Sequence, residues 1–474
     1  MDEKQIARRF ASLPPTQRRA FLAKLAENGI DFGELPIVAL PREGHLPLSQ
    51  AQRGLWLVWQ RDPKSPAYNV GGVLTVQGSL DFVTLEQAVG DLISRHENLR
   101  TIFTSDDEGQ PGLEVRESIL TPLVSCDLTG SALAAARKES SARAQMLFCA
   151  PFDLEAGPLL RVELHRLPDE EQHIVLVLHH IVADGWSVGL ILDELNACYL
   201  ARQKGRPAEL PPLEVQYADY TLWQRNWLEA GEGARQLAYW KEKLGEEDEP
   251  LRLPFDQPRQ SERSAAGAAH DFELSAELRA RLRGLARRHG VSTFMVMLAA
   301  FNLLLARSSG SDDIRVGSPL ANRGRPEVQG LVGHFTTLAV LHNPVDQRAS
   351  FAALLKVIRD CVLGAEANIQ VSFDSVVEAL APARHSGVHP LFQVKFTEQA
   401  GRPENRFAGL PMTLSGLTGG EAHFDLSLDF SDHPDGIRCV FTYTVDLFEA
   451  ATISGLADHF LHLADLVAAA PLAL

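Results

Sequence analysis

The sequence predicts a two-lobed α/β protein, and three observations carry that prediction. The chain has 474 residues, more than one hydrophobic core ordinarily serves. Segments with the two-residue alternation of strands interleave with segments of helical periodicity, which implies sheets covered by helices. That interleaving occurs twice, on either side of a polar, proline-containing connection at about 205–265. The expected organisation is a helical leader over 1–45, a first lobe over 46–220 and a second lobe over 221–474. No sequence repeat relates the halves.

Taken in order, Pro15 opens an amphipathic pattern (Phe21, Leu22, Leu25) that closes at Asn28-Gly29. A leader packed on the main body is the plain reading, and a docking helix for another protein is the alternative. Arg18 and Arg19 are read as solvated charges or as a contact for an acidic partner. Gly71–Gln77 reads as a strand, Phe82–His96 as a helix and Leu159–His165 as a strand. The apolar run Ile174–Leu178 leads into a loop, and a helix-like stretch follows from Ser187 to Leu200, with Gly205 as its stop. Pro207–Pro212 breaks the pattern before an aromatic helix, Tyr217–Trp227, whose stripe of Tyr217, Tyr220, Trp223 and Trp227 reads as core. Glu246–Ala268, rich in Pro, Ser and Gly, is expected to be an exposed connection.

A second α/β stretch begins at Phe272. Ser275 caps a helix over Ala276–His289 that Gly290 ends, and another helix starts at Ser292. Strand-like runs follow at Ile314–Gly317, Thr337–Leu341, Phe392–Phe396, Phe424–Phe430 and Ile437–Tyr443, and a helix over Ala451–Ala468 closes the pattern.

Composition narrows the function. Apolar content of 45% and charged content of 22% suit an ordinary globular protein. A net charge of -16 argues against a general nucleic-acid binder, which needs concentrated Lys and Arg. Five scattered cysteines, without paired metal-ligand spacing, fit reduced thiols rather than a disulfide framework. The first residues, MDEKQIARRF, lack a secretory apolar core. Val291–Ala306 is too short for a membrane span and carries Ser292, Thr293 and Asn302, so it reads as a buried helix. A cytoplasmic protein that engages neither membrane nor nucleic acid is expected.

The most informative residues are His179-His180-Ile181-Val182-Ala183-Asp184-Gly185, where a hydrophobic strand ends in two imidazoles, an acid and a glycine. Neighbouring strand residues point to opposite faces, so only one histidine can face a cleft. That one is a candidate general base, because an imidazole titrates near neutrality; the other is a hydrogen-bonded core residue. Periodicity does not choose between them. Asp184 can accept hydrogen bonds or pair with an arginine, and Gly185 allows backbone angles and close approach that a side chain forbids. Three other readings compete on equal terms at this point. Paired histidines can be purely structural. A metal site lacks a third ligand at suitable spacing, and Ser187 lies outside a nucleophile elbow.

The loop does not stand alone. Together with Leu48–Trp56, Arg95–Phe103, Tyr217-Ala218-Asp219-Tyr220 with Trp223, Asn322-Arg323, Val332-Gly333-His334-Phe335 and His389–Val394, it resembles the condensation domains of nonribosomal peptide synthetases. These motifs stand in family order. Two departures are visible: Gly54 occupies a position that is often arginine, and Thr336-Thr337 replaces the usual Val-Asn after Phe335.

The resemblance implies two chloramphenicol-acetyltransferase-like lobes forming a V-shaped pseudo-dimer with a central tunnel. It implies amide formation between a donor acyl or peptidyl thioester and the α-amine of an acceptor aminoacyl thioester. Both substrates would ride on phosphopantetheine supplied by donor and acceptor peptidyl carrier proteins, with an adenylation domain as neighbour. The chain itself is expected to bind no cofactor or metal and to be monomeric when excised. His180 would be the tunnel-facing base or orienting group, and Gly185 would lend its N–H to the oxyanion. His179, Asp184 and Arg323 would be structural at the site, Asp184 pairing with Arg323 from the second lobe. Gln52, Arg53, Trp56, Arg95, Arg100 and Trp186 are expected to support the tunnel and the lobes. Epimerisation, or recruitment without catalysis, is the alternative within the same superfamily.

Overall fold

The computed structural model describes residues 2–42, 45–106, 108–245, 249–260, 266–382, 387–399 and 406–469. Residues 43–44 of the expected leader and parts of the expected connection (246–248 and 261–265) lie outside them. The chain forms two compact units. One comprises Met1–Ala234, Arg323–Thr336 and Glu404–Gly419; the other comprises Arg235–Asn322, Thr337–Pro403 and Gly420–Leu474. The division expected at 220/221 therefore falls at 234/235, and two later stretches return to the first unit. Composition could not announce this. The returns are made by strand pairing and a buried ion pair, both between residues far apart in sequence.

The first unit is built on a six-stranded sheet in the order Arg406–Phe407, Leu410–Gly416, Asn69–Gln77, Glu171–His179, Leu160–Arg166, Leu123–Asp127. Glu171–His179 is central and every residue in it is buried, which explains the apolar run on both faces. Its register with the neighbouring strand sets Asn69 opposite His179. The strand Leu410–Gly416, unrecognised in sequence, completes the sheet with Met412 opposite Val76. Helices Phe82–Arg95, Leu133–Cys149 and Gly185–Arg202 pack on this core.

The leader is part of the same unit. Its helices Glu3–Ser12 and Pro15–Glu27 bury Ile6, Phe10 and Leu25, and Phe32, Leu35 and Ile37 follow. These join one hydrophobic cluster with Tyr217, Tyr220, Trp223, Val328, Leu331 and Phe335. Arg18 is no solvated charge: its guanidinium donates to Asn226 Oδ1 at 2.6 Å and to the Ala11 carbonyl at 3.2 Å. Arg19 is exposed.

The second unit has its own six-stranded sheet, ordered Thr337–Pro344, Asp313–Leu320, Val394–Gln399, Leu426–His433, Gly436–Thr444, Gly267–Ser275. Ser275 caps Ala276–His289, and Gly290 ends it in the left-handed conformation at φ 62°. In the following helix Met295 through Ala306 are all buried, so its apolarity serves the core. Among the described residues no single helix is long and apolar enough to cross a membrane. Two expectations shift here. The strand placed at Phe392–Phe396 runs over Val394–Gln399, because Leu391 turns the chain at φ 67° just before it. The connection placed on the surface buries Leu251 and Leu253, and Arg259 pairs with buried Asp425 at 3.0 Å. The rest of its described residues are mostly exposed, as expected: Arg252, Pro254, Asp256, Gln257, Pro258 and Gln260 all face solvent. Both units thus show the sheet-and-helix build of chloramphenicol-acetyltransferase-like lobes.

Candidate active site

The central strand ends at His179, and the next residue still follows its path, with the His180 N–H donating to the Tyr68 carbonyl at 2.8 Å. The two imidazoles part as strand geometry requires. His179 is core: its Nδ1 accepts from the Ile181 N–H at 3.2 Å, and Phe152 packs edge-on at 6.2 Å. Burial, with a smaller contribution from His180, pushes its pKa down to about 3, so it is neutral. His180 is partly exposed, yet its Nδ1 is enclosed and has no hydrogen-bond partner among the described residues. Burial lowers its pKa, against the opposing pull of Asp184 and of the backbone at His180 and Ala183. A neutral ring, able to accept a proton, results.

The loop after it is tied down from outside. Gln52, fully buried, donates from Nε2 to the Ile181 carbonyl at 3.1 Å. Asn98 donates to the Val182 carbonyl at 2.8 Å. Gln52 is itself fixed by a capping box with Ser49 at the start of helix Gln50–Arg61. Trp56, on the same helix, is core and packs on Trp59 at 5.0 Å. Arg53 is exposed and makes no ion pair or hydrogen bond among the described residues, so the support expected of it is not seen. It sits on the outer face of that helix, one residue from the inward-facing Gln52.

Asp184 is the hub. It caps helix Gly185–Arg202: Oδ1 accepts from the Ser187 N–H and hydroxyl, both at 2.8 Å. Arg323 reaches the same oxygen at 3.0 Å. Oδ2 accepts from the Phe335 N–H at 3.1 Å and the Thr336 hydroxyl at 3.4 Å. Burial alone would raise the carboxyl pKa, but Arg323 and the Ser187 amide outweigh it and hold the group ionised. The expected ion pair is present, with one difference. Arg323 lies in the stretch that belongs to the first unit, not in the second. It also donates to the Val328 and Leu331 carbonyls at 2.8 and 2.7 Å and lies over the Phe335 ring at 4.1 Å. Thr336, one of the two departures in its motif, thus adds a donor to the hub.

Gly185 is the first residue of the helix, so its N–H has no acceptor within that helix. It is exposed, and a methyl group added there would meet no atom within 4 Å. Its φ is not positive, so the backbone does not demand glycine. The open approach remains. Trp186 is 47% exposed and donates to the Gln329 carbonyl at 3.0 Å. Arg95 pairs with Glu194 at 3.1 Å and donates to the Pro211 carbonyl at 2.7 Å. Arg100 donates to the Ile93 and Ser94 carbonyls at 3.1 and 3.2 Å, at the end of helix Phe82–Arg95, where a cation suits the helix dipole. The structure therefore gathers His180, Asp184, Gly185, Arg323 and Gln52 at one place. Arg95 and Arg100 brace neighbouring elements.

A third histidine, from the Val332–Phe335 motif, also lies at this place. His334 is 8% exposed, and its ring meets that of His180 edge-on with centroids 4.6 Å apart. Its Nδ1 also lacks a partner among the described residues. Tyr217 donates a short hydrogen bond to the His334 carbonyl and is bonded to the Ser49 hydroxyl at 2.9 Å. A Cβ at Gly333 would stand 2.0 Å from the Tyr217 ring, so only glycine lets this segment sit there. The signal in sequence was a histidine directly after a glycine within a recognised motif. What it touches lies 154 positions away in the chain.

The model of the condensation-domain family matches residues 42–473. The chain belongs to that family. It is a condensation domain of the nonribosomal-peptide-synthetase kind. It is 38% identical over 466 residues to a linear gramicidin synthase polypeptide of Brevibacillus parabrevis; the match covers 96% of this chain but only 9% of that relative. Among solved structures, the domain resembles the X-domain in its complex with OxyB from teicoplanin biosynthesis. There the TM-score is 0.79 at 25% identity, covering 92% of this chain and 96% of that one. It also resembles the first condensation domain of the calcium-dependent antibiotic synthetase, bound to a substrate analogue. The TM-score is 0.74 at 22% identity, covering 91% of this chain and 98% of that one.

Proposed function

We propose that this condensation domain forms an amide bond between two carrier-bound thioesters. The α-amine of the acceptor adds its lone pair to the donor carbonyl carbon, and the carbonyl electrons move to oxygen. Collapse expels the donor's pantetheine thiolate, and the proton lost by the amine ends on that sulfur. His180 supports this reading most directly. It is neutral, held on a loop fixed by Gln52 and Asn98, and left with an unpaired ring nitrogen. With a proton on the enclosed Nδ1, the Nε2 lone pair is free to take or orient the amine proton.

The oxyanion needs a donor, and the Gly185 N–H stands at the positive end of an 18-residue helix with open space before it. Much of the acceleration would come from holding two tethered reactants together, where effective molarities reach roughly 10⁵ M or more. Asp184 and Arg323 keep the loop in shape and take no proton. Phosphopantetheine arrives on donor and acceptor carrier domains, within a cytoplasmic synthetase that also holds an adenylation domain. The excised domain would be monomeric.

A second reading, recruitment of a partner without chemistry, is favoured by the likeness to the X-domain seen with OxyB. Loading donor and acceptor on separate carrier proteins and weighing the intact acceptor separates the two. A new amide-linked species that disappears in His180→Ala is expected. Carrier binding with no product would sustain recruitment instead, and deuterium exchange at Cα without transfer would indicate epimerisation. Full turnover by His180→Ala would remove the base or orienting role.

A further inference from the structure

We propose that His334 is the positioning partner of His180, a second imidazole that holds the first edge-on and keeps water from its enclosed side. The inference deepens the reading of His180 given above and rests on it. Three observations carry it. The rings meet at 4.6 Å and 80°, an edge-to-face packing that fixes the plane of each. Both Nδ1 atoms are enclosed without a hydrogen-bond partner among the described residues, so no other side chain orients either ring through that nitrogen. The segment carrying His334 is itself over-determined. Tyr217 holds its carbonyl, Arg323 holds the Gly333 carbonyl at 3.2 Å, and Asp184 receives the Phe335 and Thr336 donors. A fold that braces a backbone this thoroughly, yet leaves the imidazole on it unpaired, has placed that ring for its neighbour.

Electrostatics supports the geometry. His334 faces His180 and His179 from the strand side, Asp184 from the helix cap and Arg323 from its own segment. Burial first, then His180, drives its pKa well down, with Asp184 opposing. Two imidazoles so close do not both hold a charge. His334 therefore stays neutral, and any proton the pair accepts resides on His180. A ring that stays neutral suits the wall beside a base, because it fills space water would take and brings no charge against the proton on His180.

Titrating His180 by NMR with ¹⁵N-histidine labelling tests this in the whole domain, whether or not turnover is measured. In the wild type a single tautomer and a titration midpoint below the usual imidazole range are expected. His334→Ala opens a space that water enters, so the midpoint should rise toward the usual range and the tautomers mix. His334→Phe keeps a ring edge there and should leave both near wild type. In turnover with loaded carriers, His334→Ala should lower kcat by roughly 10²-fold, the cost of a misplaced group. KM should change little, and the acid limb of the kcat–pH profile should move with the NMR midpoint. An unchanged His180 titration and tautomer in His334→Ala would overturn the pairing, and so would a rise in His334→Phe as large as in His334→Ala. Loss of the NMR effect and inactivity of the wild type are separate outcomes: the first refutes the role of His334, the second the amide-forming reading.

Discussion

The strand Glu171–His179 carries histidines at both ends, and their surroundings are opposite. Near its start, His173 and, on the adjacent strand, His165 both reach the buried Ser140 hydroxyl, Nδ1 to Oγ at 2.7 and 2.8 Å. Their Nε2 atoms meet Glu171 and Glu163 at 3.0 and 2.8 Å, and Arg137 and Gln77 hold Glu171 in turn. All four ring nitrogens are engaged. Just past the other end, His180 and His334 leave both Nδ1 atoms without a partner among the described residues. A buried polar atom left unpaired costs about 1–3 kcal/mol. The first cluster therefore cross-links two strands and a helix. The second leaves two enclosed nitrogens unsatisfied, and so gives up stability beside the loop that Asp184 holds. The filled imidazoles cross-link the fold, whereas the unfilled pair is held only by packing and by the backbone around it.

Three experiments would sharpen or break that contrast, beyond those on His180 and His334. The largest effect belongs to the hub beneath the unfilled pair. Asp184→Ala removes the acceptor of five hydrogen bonds and strands Arg323, which is only 5% exposed, without its carboxylate. A loss of about 3–5 kcal/mol in denaturant unfolding is expected for breaking a buried pair. Near-wild-type stability would mean that the hub is dispensable. Next, Gly333→Ala drives a methyl into the Tyr217 ring and should cost about 1–3 kcal/mol as overpacking. It should also reduce turnover by displacing His334. A stable variant with full turnover would show that the segment's position is not critical.

The smallest effect lies in the filled cluster and shows only in acid. Hydrogen bonding to Arg137, ahead of Gln77 and His173, depresses the Glu171 pKa to about 2 from 4.5. A carboxylate with a depressed folded-state pKa contributes stability that is present above pH 4.5. That contribution is lost as pH falls from 4.5 toward 2. His173, whose pKa burial lowers, acts in the same direction at somewhat higher pH. Glu171→Gln should therefore flatten the decline of the thermal midpoint between about pH 5 and 3, while transfer activity at neutral pH stays as in the wild type. An identical acid profile in the variant would show that the cluster contributes nothing to acid stability.

Much of the fold was legible because local rules decide it. Ser275 and Gly290 bracket their helix where capping chemistry places them, and the twelve-residue buried run from Met295 read as core by length and polarity. The His-His loop was legible as a string: strand, His-His, Asp-Gly, helix. What stayed hidden depends on which distant segments meet. Nothing near Leu410–Gly416 says that it pairs with Asn69–Gln77 in the other half of the sequence. Asn98 and Gln52 fasten the loop from 84 and 129 positions away. Strand alternation could separate the faces of His179 and His180 but not say which was inward. That choice rests on Phe152 and Ile181 on one side and His334 on the other. Arg53, beside the inward Gln52, shows how one residue of helical rotation turns a motif member out to solvent.

The leader's burial bears on how such domains are cut and rejoined. Phe10, Phe32 and Ile37 share a cluster with Tyr220, Trp223 and Phe335, and Arg325 donates to the carbonyls of Gly33 and Leu35. A splice that exchanges this domain between assembly lines at the start of the family match would discard the outer wall behind the His334 segment. Hybrid synthetases that keep residues 3–37 with their own downstream body should stay soluble where shorter transplants precipitate.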